Sequence, residues 1–395
     1  MDHTLSQKKQ QWLAKQCLVS DIFPLAGDAS FRQYFRVISG EDSFILMDAQ
    51  KEPSVYQAAL NASAYWFENN LPVPKVIAHD DALCCILIDD FGDDLYSTVL
   101  SQQNHYALYK KAIDVLLKLY TLKPKAFGAY QALDESLIDF ECQGFCQYYL
   151  EGLLGHALDA AQKKILDNAF KFISQQVRAQ PFVFIHRDYH CRNILVRQSA
   201  PLTTEPANNN PAEVAFGKHS IRPLAKCASV RKVGDGLEHR TGVYKCIHED
   251  SSTEPANKFS AEVALCKRPI GVIDFQDAMC GPVTYDLASL LRDCYIQWPK
   301  ENVLALVNYF YSKAVGLEII NDVDEKTFLA WFNITSIERH LKAIFTFSRK
   351  ALRDNDESFL KHIKPTLSYV FDSAAHFDEL HDFRQLLKKL IEEKK

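Results

Sequence analysis

Three polar side chains at fixed spacing could together move a phosphoryl group. The run Ile185-His186-Arg187-Asp188-Tyr189-His190-Cys191-Arg192-Asn193-Ile194-Leu195 closes one apolar stretch, and Gly271-Val272-Ile273-Asp274-Phe275-Gln276-Asp277 closes another. In phosphoryl transfer a carboxylate accepts the proton of the attacking hydroxyl. An amide oxygen five positions on and a later carboxylate hold Mg²⁺ against the nucleotide phosphates, the spacing H-R-D-x-x-x-x-N. Asp188 is therefore the candidate catalytic residue, and Asn193 and Asp274 are the candidate metal ligands. Mg²⁺ asks for one or two protein oxygens and takes the rest from phosphates and water, so this pair suffices. His186 and Arg187 are expected to support the loop. Any one tripeptide recurs by chance; the order, the spacing and the apolar run before each motif set this arrangement apart.

Both motifs sit at the ends of strand candidates, Phe182 to His186 and Ile270 to Phe275, and an unusual segment separates them. Within it Thr204-Glu-Pro-Ala-Asn...Ala212-Glu-Val-Ala...Lys218 recurs as Thr253-Glu-Pro-Ala-Asn...Ala261-Glu-Val-Ala...Lys267. Residues 199–267 are rich in Pro, Asn, Ser and Thr and lack sustained periodicity, so they read as an insertion. Excising them leaves about a dozen positions between Asn193 and Asp274, the length of a short β-hairpin carrying one ligand on each arm.

The positioning elements follow a clear order. Phe31 to Ile38 and Phe44 to Met47 are β-rich runs joined by the turn-like Ser39-Gly40-Glu41-Asp42, a hairpin signal. A helical stretch from Ser54 to Asn69 comes next, then Pro72 and Pro74, then strand candidates near Val76 and at Leu83 to Ile88. Beyond Asn104 helical periodicity dominates, over Tyr106 to Leu122, Ala160 to Val177 and most of the chain after Tyr285. The pattern is a small sheet-bearing lobe followed by a larger helical lobe.

Composition narrows the class. The 395 residues are 47% hydrophobic and 24% charged, enough apolar material for a large core and against wholesale disorder. A net charge of -5 offers no basic field for nucleic acid or an anionic membrane, which points to a small-molecule partner. Eleven cysteines without a C-x-x-C pair suit a reducing compartment, where they act as buried thiols; Cys142 and Cys146 would share a helix face. The N-terminus lacks an apolar core segment and no run is long enough to span a bilayer, so a soluble cytoplasmic protein is expected. Oligomeric state is not legible in the sequence.

Beyond these readings the chain resembles the aminoglycoside-phosphotransferase-like kinases, and among them the bacterial anomeric kinases of N-acetylmuramate and N-acetylglucosamine used in peptidoglycan recycling. The blocks that carry the resemblance are Ala26-Gly-Asp-Ala-Ser-Phe-Arg-Gln-Tyr-Phe-Arg36, Leu46-Met-Asp-Ala49, His186 to Leu195 and Gly271 to Ala278. Gly281-Pro-Val-Thr-Tyr-Asp-Leu-Ala-Ser-Leu-Leu-Arg-Asp293 and Glu338-Arg-His-Leu-Lys342 complete them, so that it covers the chain apart from the insertion. It implies an α+β, two-lobed protein-kinase-like fold: an N-lobe over residues 1–91, and a helical C-lobe over 92–395 with the catalytic loop and the acceptor site. It further implies ATP and Mg²⁺ as cofactors, an amino-sugar acceptor, a nucleotide loop at Gly27, Asp28, Ala29 and Ser30, and a hinge in which the backbone around Asp89 and Phe91 holds adenine. Asp286 corresponds to an aspartate that braces the catalytic loop, although a helix-end charge would explain it equally well.

For the acceptor, Arg192, Asp277, Arg292 and Arg339 are candidates, with His340 and Lys342 nearby; a cationic pocket would suit the lactyl carboxylate of N-acetylmuramate. The lysine that general kinases carry on their third strand is absent, since Met47 or Asp48 stands there, which leaves phosphate charge to Mg²⁺, loop amides and Arg32 or Arg36. Two rival readings follow: a kinase for an aminoglycoside or an amino alcohol, and a catalytically silent nucleotide-binding scaffold.

Overall fold

The computed structural model describes residues 5–25, 32–122, 131–197, 262 and 264–393. Gly27, Asp28, Ala29 and Ser30 lie outside the described residues, as does most of the span 199–267.

Alternating apolar positions build a five-stranded antiparallel sheet in the order β1-β2-β3-β5-β4. The expected hairpin is β2 (Gln33–Ser39) and β3 (Asp42–Asp48), turned by Gly40 and Glu41, with Gly40 at a φ of 65° that glycine adopts without strain. β4 (Val76–Asp80) and β5 (Cys85–Asp89) fall where the apolar runs place them. The edge strand β1 (Asp21–Leu25) was not singled out, because Pro24 interrupts a short run; proline is tolerated at a sheet edge.

The two faces of this sheet are covered differently. Helix α1 (Gln7–Gln16) packs Trp12 and Leu13 on Phe35, Val37, Leu46 and Leu87, and its buried Lys9 meets Asp48 at 2.6 Å. Helix α2 (Pro53–Glu68) sets Tyr56 and Ala59 against Met47 and Ile86 on the other face. Alternation along β3 thus sends Met47 toward the interlobe cleft and Asp48 away from it.

After the short α3 (Tyr96–Val99), the C-lobe is helical: α4 (His105–Tyr120), α5 (Glu135–Gly144) continuing as a π-helical turn at Phe145–Leu153, α6 (Ala160–Arg178), α7 (Tyr285–Leu291), α8 (Lys300–Gly316), α9 (Glu325–Arg353), α10 (Ile363–Ala374) and α11 (His381–Glu392). Helix α9, capped by the Asp324 carboxylate accepting from the Thr327 N–H, is buried almost without a break from Phe332 to Leu341 and forms the spine of the lobe. Helix α7 ends early, at Leu291. Arg292 leaves helical geometry, and the Asp293 carboxylate turns to accept the N–H groups of Cys191 and Tyr295.

Two small ladders interrupt the helices: β6 (Phe182–Ile185) with β9 (Met279–Pro282), and β7 (Ile194–Val196) with β8 (Ile270–Val272). In the second, Ile194 faces Val272, Val196 faces Ile270, and the Arg197 N–H donates to the Pro269 carbonyl at 2.8 Å. A hairpin therefore forms across the interrupting segment, whose described ends leave and return at its tip. Residues 264–267, inside the span read as an insertion, are helical, and Leu265 and Cys266 pack on the C-lobe core. The nine cysteines among the described residues are all free thiols, with Cys142 and Cys146 buried.

Candidate active site

The backbone of the catalytic loop is bent and then held by buried carboxylates. Arg187 has a left-handed φ of 78°, a costly conformation for a long side chain that persists only where its surroundings over-determine it. Asp286, at the start of α7 and fully buried, supplies that restraint by accepting the N–H groups of His186 at 2.6 Å and Arg187 at 2.9 Å. Burial pushes its carboxyl up to about 7 against the lowering effect of those two bonds. Asp293 holds the Cys191 N–H in the same way, and Glu141 of α5 takes the Arg187 guanidinium at 2.7 Å. Neither was identified from the sequence: Asp293 closes a recognisable block, and Glu141 carries no local signal at all.

His186 is neutral by construction. Its Nε2 meets the Ile273 carbonyl at 3.0 Å, and its Nδ1 lies 3.3 Å from the Asp188 N–H, so the bond pattern assigns the proton to Nε2. Burial lowers the ring to about 4. The ring also packs beside Trp66, which stacks on Phe275, so one aromatic cluster joins the loop to the Asp274 strand end.

Around this frame the three chemical side chains converge on one cavity of about 600 Å³ between the lobes. Asn193 donates its Nδ2 to the Asp188 carbonyl at 2.9 Å, which leaves Oδ1 without a donor among the described residues, and its own carbonyl receives the N–H of Ile273, next to Asp274. Asp274 adopts a φ of 63°. Burial, with Asp188 and Asp277 nearby, raises its carboxyl despite Arg32 at 3.4 Å and a Gln276 bond at 2.8 Å. An amide oxygen and a carboxylate crowded by other carboxylates fit a divalent cation, which relieves that repulsion and whose shell phosphate oxygens complete. Burial works to raise the Asp188 carboxyl as well, but Lys342 at 3.3 Å, His190, Arg339 and Arg187 outweigh it and hold it well below the usual carboxylate range.

The nucleotide side of the cavity is apolar: Ile45, Met47, Ala59, Val76, Ile86 and Ile88 line it together with Asp89 and Phe91 of the interlobe linker. The Asp89 N–H is engaged by the Lys75 carbonyl and the Gly92 N–H by the Asp90 carboxylate, which leaves the Asp90 and Phe91 N–H groups without a partner among the described residues. The Phe91 ring lies against Gly271, where a Cβ would meet it at 2.3 Å, so any other residue there would force the ring to shift. The two arginines left open by the sequence separate. Arg36 is forked to Asp90 and Asp93 of the linker at 2.6–3.2 Å, whereas Arg32 reaches Asp274.

The acceptor candidates separate as well. Arg192 and Asp277 line the cavity; Arg292 and Arg339 do not. Arg292 is buried, donates to Ser373 at 2.6 Å and Asn333 at 2.7 Å, and stacks on Phe332. Arg339 is buried behind Asp188 with a guanidinium nitrogen 3.4 Å from the Cys294 sulfur, and His340 bonds the Arg292 carbonyl. Along α9 it is instead Arg349, unnoticed in the sequence, that reaches the cavity.

Known proteins share the family and the fold of this chain. Residues 21–204 and 264–316 match the model of the APH phosphotransferase enzyme family, the match breaking off and resuming inside the repeat-bearing segment. A protein from Pseudomonas aeruginosa named N-acetylmuramate/N-acetylglucosamine kinase is 28% identical over 94% of this chain and 89% of its own length; one of the same name from Neisseria meningitidis is 26% identical over 94% and 91%. In fold, the chain is similar to an ADP-bound aminoglycoside phosphotransferase (TM-score 0.54, 12% identity, 92% of this chain and 98% of that one). A choline kinase from Streptococcus pneumoniae is also similar (TM-score 0.52, 10% identity, 92% and 98%). With more than half of its length matched, the chain belongs to the phosphotransferase enzyme family and transfers phosphoryl groups to a hydroxyl acceptor.

Proposed function

We propose that the protein phosphorylates an amino sugar from ATP, with Mg²⁺, at the anomeric hydroxyl of N-acetylmuramate or N-acetylglucosamine. The observation that carries this reading is the meeting of Asp188, Asn193 and Asp274 in one cavity that Arg192 and Arg349 also line, in a chain similar over most of its length to kinases named for those two sugars.

Bound Mg-ATP supplies the transferable phosphoryl group and the divalent charge that offsets its phosphates. The Asp188 carboxylate accepts the hydrogen bond of the sugar hydroxyl and aims its oxygen at the γ-phosphorus. As the new O–P bond forms, the bond to the β-phosphate oxygen breaks, ADP leaves with that electron pair, and the hydroxyl proton passes to Asp188. A carboxylate held this far below the usual range is a weak base, which suits a loose transition state in which the proton moves late. Lys342 orients the Asp188 carboxylate, and Arg32 adds positive charge beside Asp274, in a wall where Met47 faces the cleft in place of lysine.

The test is a ³¹P and ¹H NMR assignment of the product made from N-acetylmuramate with Mg-ATP. A phosphate coupled to H1, with loss of the reducing end, is expected. A phosphate on another carbon, or transfer only to choline or an aminoglycoside, overturns the reading.

A further inference from the structure

Behind the catalytic loop, helices α5 and α9 bring two carboxyl groups together out of reach of water. Glu141 is 3% exposed and Glu338 1%. One Glu141 oxygen accepts from the Arg187 guanidinium at 2.7 Å; its other oxygen and both oxygens of Glu338 are buried with no N–H or O–H donor among the described residues. What Glu338 does meet is Glu141 itself, within hydrogen-bonding reach. Ionised carboxylates only accept, so that contact is a hydrogen bond only when one of the two carries a proton.

The surroundings decide which. Glu141 has a cation of its own in Arg187. Glu338 forms no ion pair among the described residues: Lys342, one turn further along α9, lies over the Tyr285 ring at 5.9 Å with its ammonium 3.3 Å from Asp188. Burial, and after it the charge of Glu141, push the Glu338 carboxyl well above the ordinary range, against Lys342 and Arg187. Tyr285 of α7 and Cys142 of α5 face the same space and are kept neutral by burial, and the Tyr285 hydroxyl has no partner among the described residues. Arg339, near Tyr285 and Asp188, completes the charged groups here.

We infer that Glu338 is the protonated member of this pair, donating to Glu141, and that it acts as a positioning residue for the catalytic loop. A neutral donor steadies the Glu141 carboxylate without competing for its cation. Arg187 stands immediately before Asp188 at a φ of 78°, a backbone state that must be restrained from outside. Asp286 restrains it through the amides, and Glu141, held by Glu338, restrains it through the side chain. An ionised Glu338 would instead bring two like charges into contact in a medium that screens them poorly, and would draw Lys342, four residues on, away from Asp188. This arrangement serves phosphoryl transfer to any hydroxyl acceptor, so it does not depend on the amino-sugar reading.

Three variants and one spectrum test this. With N-acetylglucosamine and Mg-ATP, Glu338→Leu, which removes the donor, should lower kcat by up to about 10²-fold with the KM for ATP nearly unchanged, and a thermal melt separates that loss from a loss of fold. Glu338→Gln, which keeps the shape and an N–H donor but cannot ionise, should restore kcat. Glu141→Gln should stay slow, because an amide offers the Arg187 guanidinium no charge. At mildly alkaline pH the infrared band of a protonated carboxyl should be present in the wild type and reduced in Glu338→Gln, a measurement that needs no acceptor. A Glu338→Gln protein that is slow or fails to fold would show that the charge is required and would overturn the inference. So would wild-type turnover in Glu338→Leu or Glu141→Gln, or an infrared band that Glu338→Gln leaves unchanged. A wild-type enzyme inactive on amino sugars overturns the functional reading alone, and the infrared comparison still decides the place of the proton.

Discussion

The two walls of the cleft are built on opposite physics. The N-lobe wall is a sheet face of Ile45, Met47, Val76, Ile86 and Ile88 closed by the small Ala59 and Ser63 of α2, and it offers shape and apolar area. The C-lobe wall sets Asp188, Asn193, Asp274 and Asp277 beside Arg192 and Arg349, with Lys342 on the Asp188 carboxylate and the Asn193 amide donating to the Asp188 carbonyl. One wall binds by excluding water; the other holds charge where charge develops during the reaction. General kinases carry a lysine on the first wall; here Met47 faces the cleft there, the N-lobe charge beside Asp274 comes from Arg32, and the carboxylates of the catalytic motif lie on the second wall.

That division can be broken from either side. The largest effect belongs to Asp188→Asn on the charged wall, which should lower kcat by about 10²-fold to 10⁴-fold with KM for ATP nearly unchanged, measured by coupled ADP release. Near-normal turnover would remove Asp188 from the chemistry. On the apolar wall, Met47→Ala should act the other way, costing about 2–4 kcal/mol of stability in urea unfolding and raising KM for ATP more than it lowers kcat.

Acid should act on the frame beneath the charged wall. His186 and His340 are buried with their rings lowered to about 4 and about 3, so below an ordinary histidine value near 6.5 the unfolded chain binds protons that the folded one does not. Stability is then complete above about 6.5 and falls as pH drops. Asp286, raised to about 7, works in the opposite sense between about 4 and 7 and cancels one histidine. The loss of stability on acidification, read from urea midpoints, should be smaller in His340→Phe than in the wild type. The smallest effect is Lys342→Met: without its lysine the Asp188 carboxyl rises toward the ordinary range, and the acid limb of the kcat/KM profile should move to higher pH. A limb that stays in place would detach Lys342 from Asp188.

The elements that position the site were largely legible because they follow periodicity. The β2–β3 hairpin, α2, α4 and α6 all fall within a few residues of the runs that announce them. Helix α1 was not, since its Gln and Lys residues hide a narrow buried stripe of Lys9, Trp12 and Leu13. Among the acceptor residues the opposite held. Arg292, Arg339 and His340 sit in a recognisable block, yet burial turns them into internal struts, while Arg349 lies in no block and faces the cavity. A basic residue on a helix looks the same in sequence whether it lies inward, outward or toward a ligand.

What the sequence determined by itself is the local chemistry: a carboxylate, an amide and a second carboxylate in fixed order, the two carboxylates at the ends of apolar strands, because strand and loop spacing are properties of the chain alone. Only the tertiary structure decided that β7 and β8 pair across the repeat-bearing segment, that Asp286 and Asp293 hold the loop from below, that Met47 and not Asp48 faces the cleft, and which cations line the cavity. The reason is that depth and direction are set by how α9 and the two sheet faces pack, and packing is a relation between residues hundreds of positions apart.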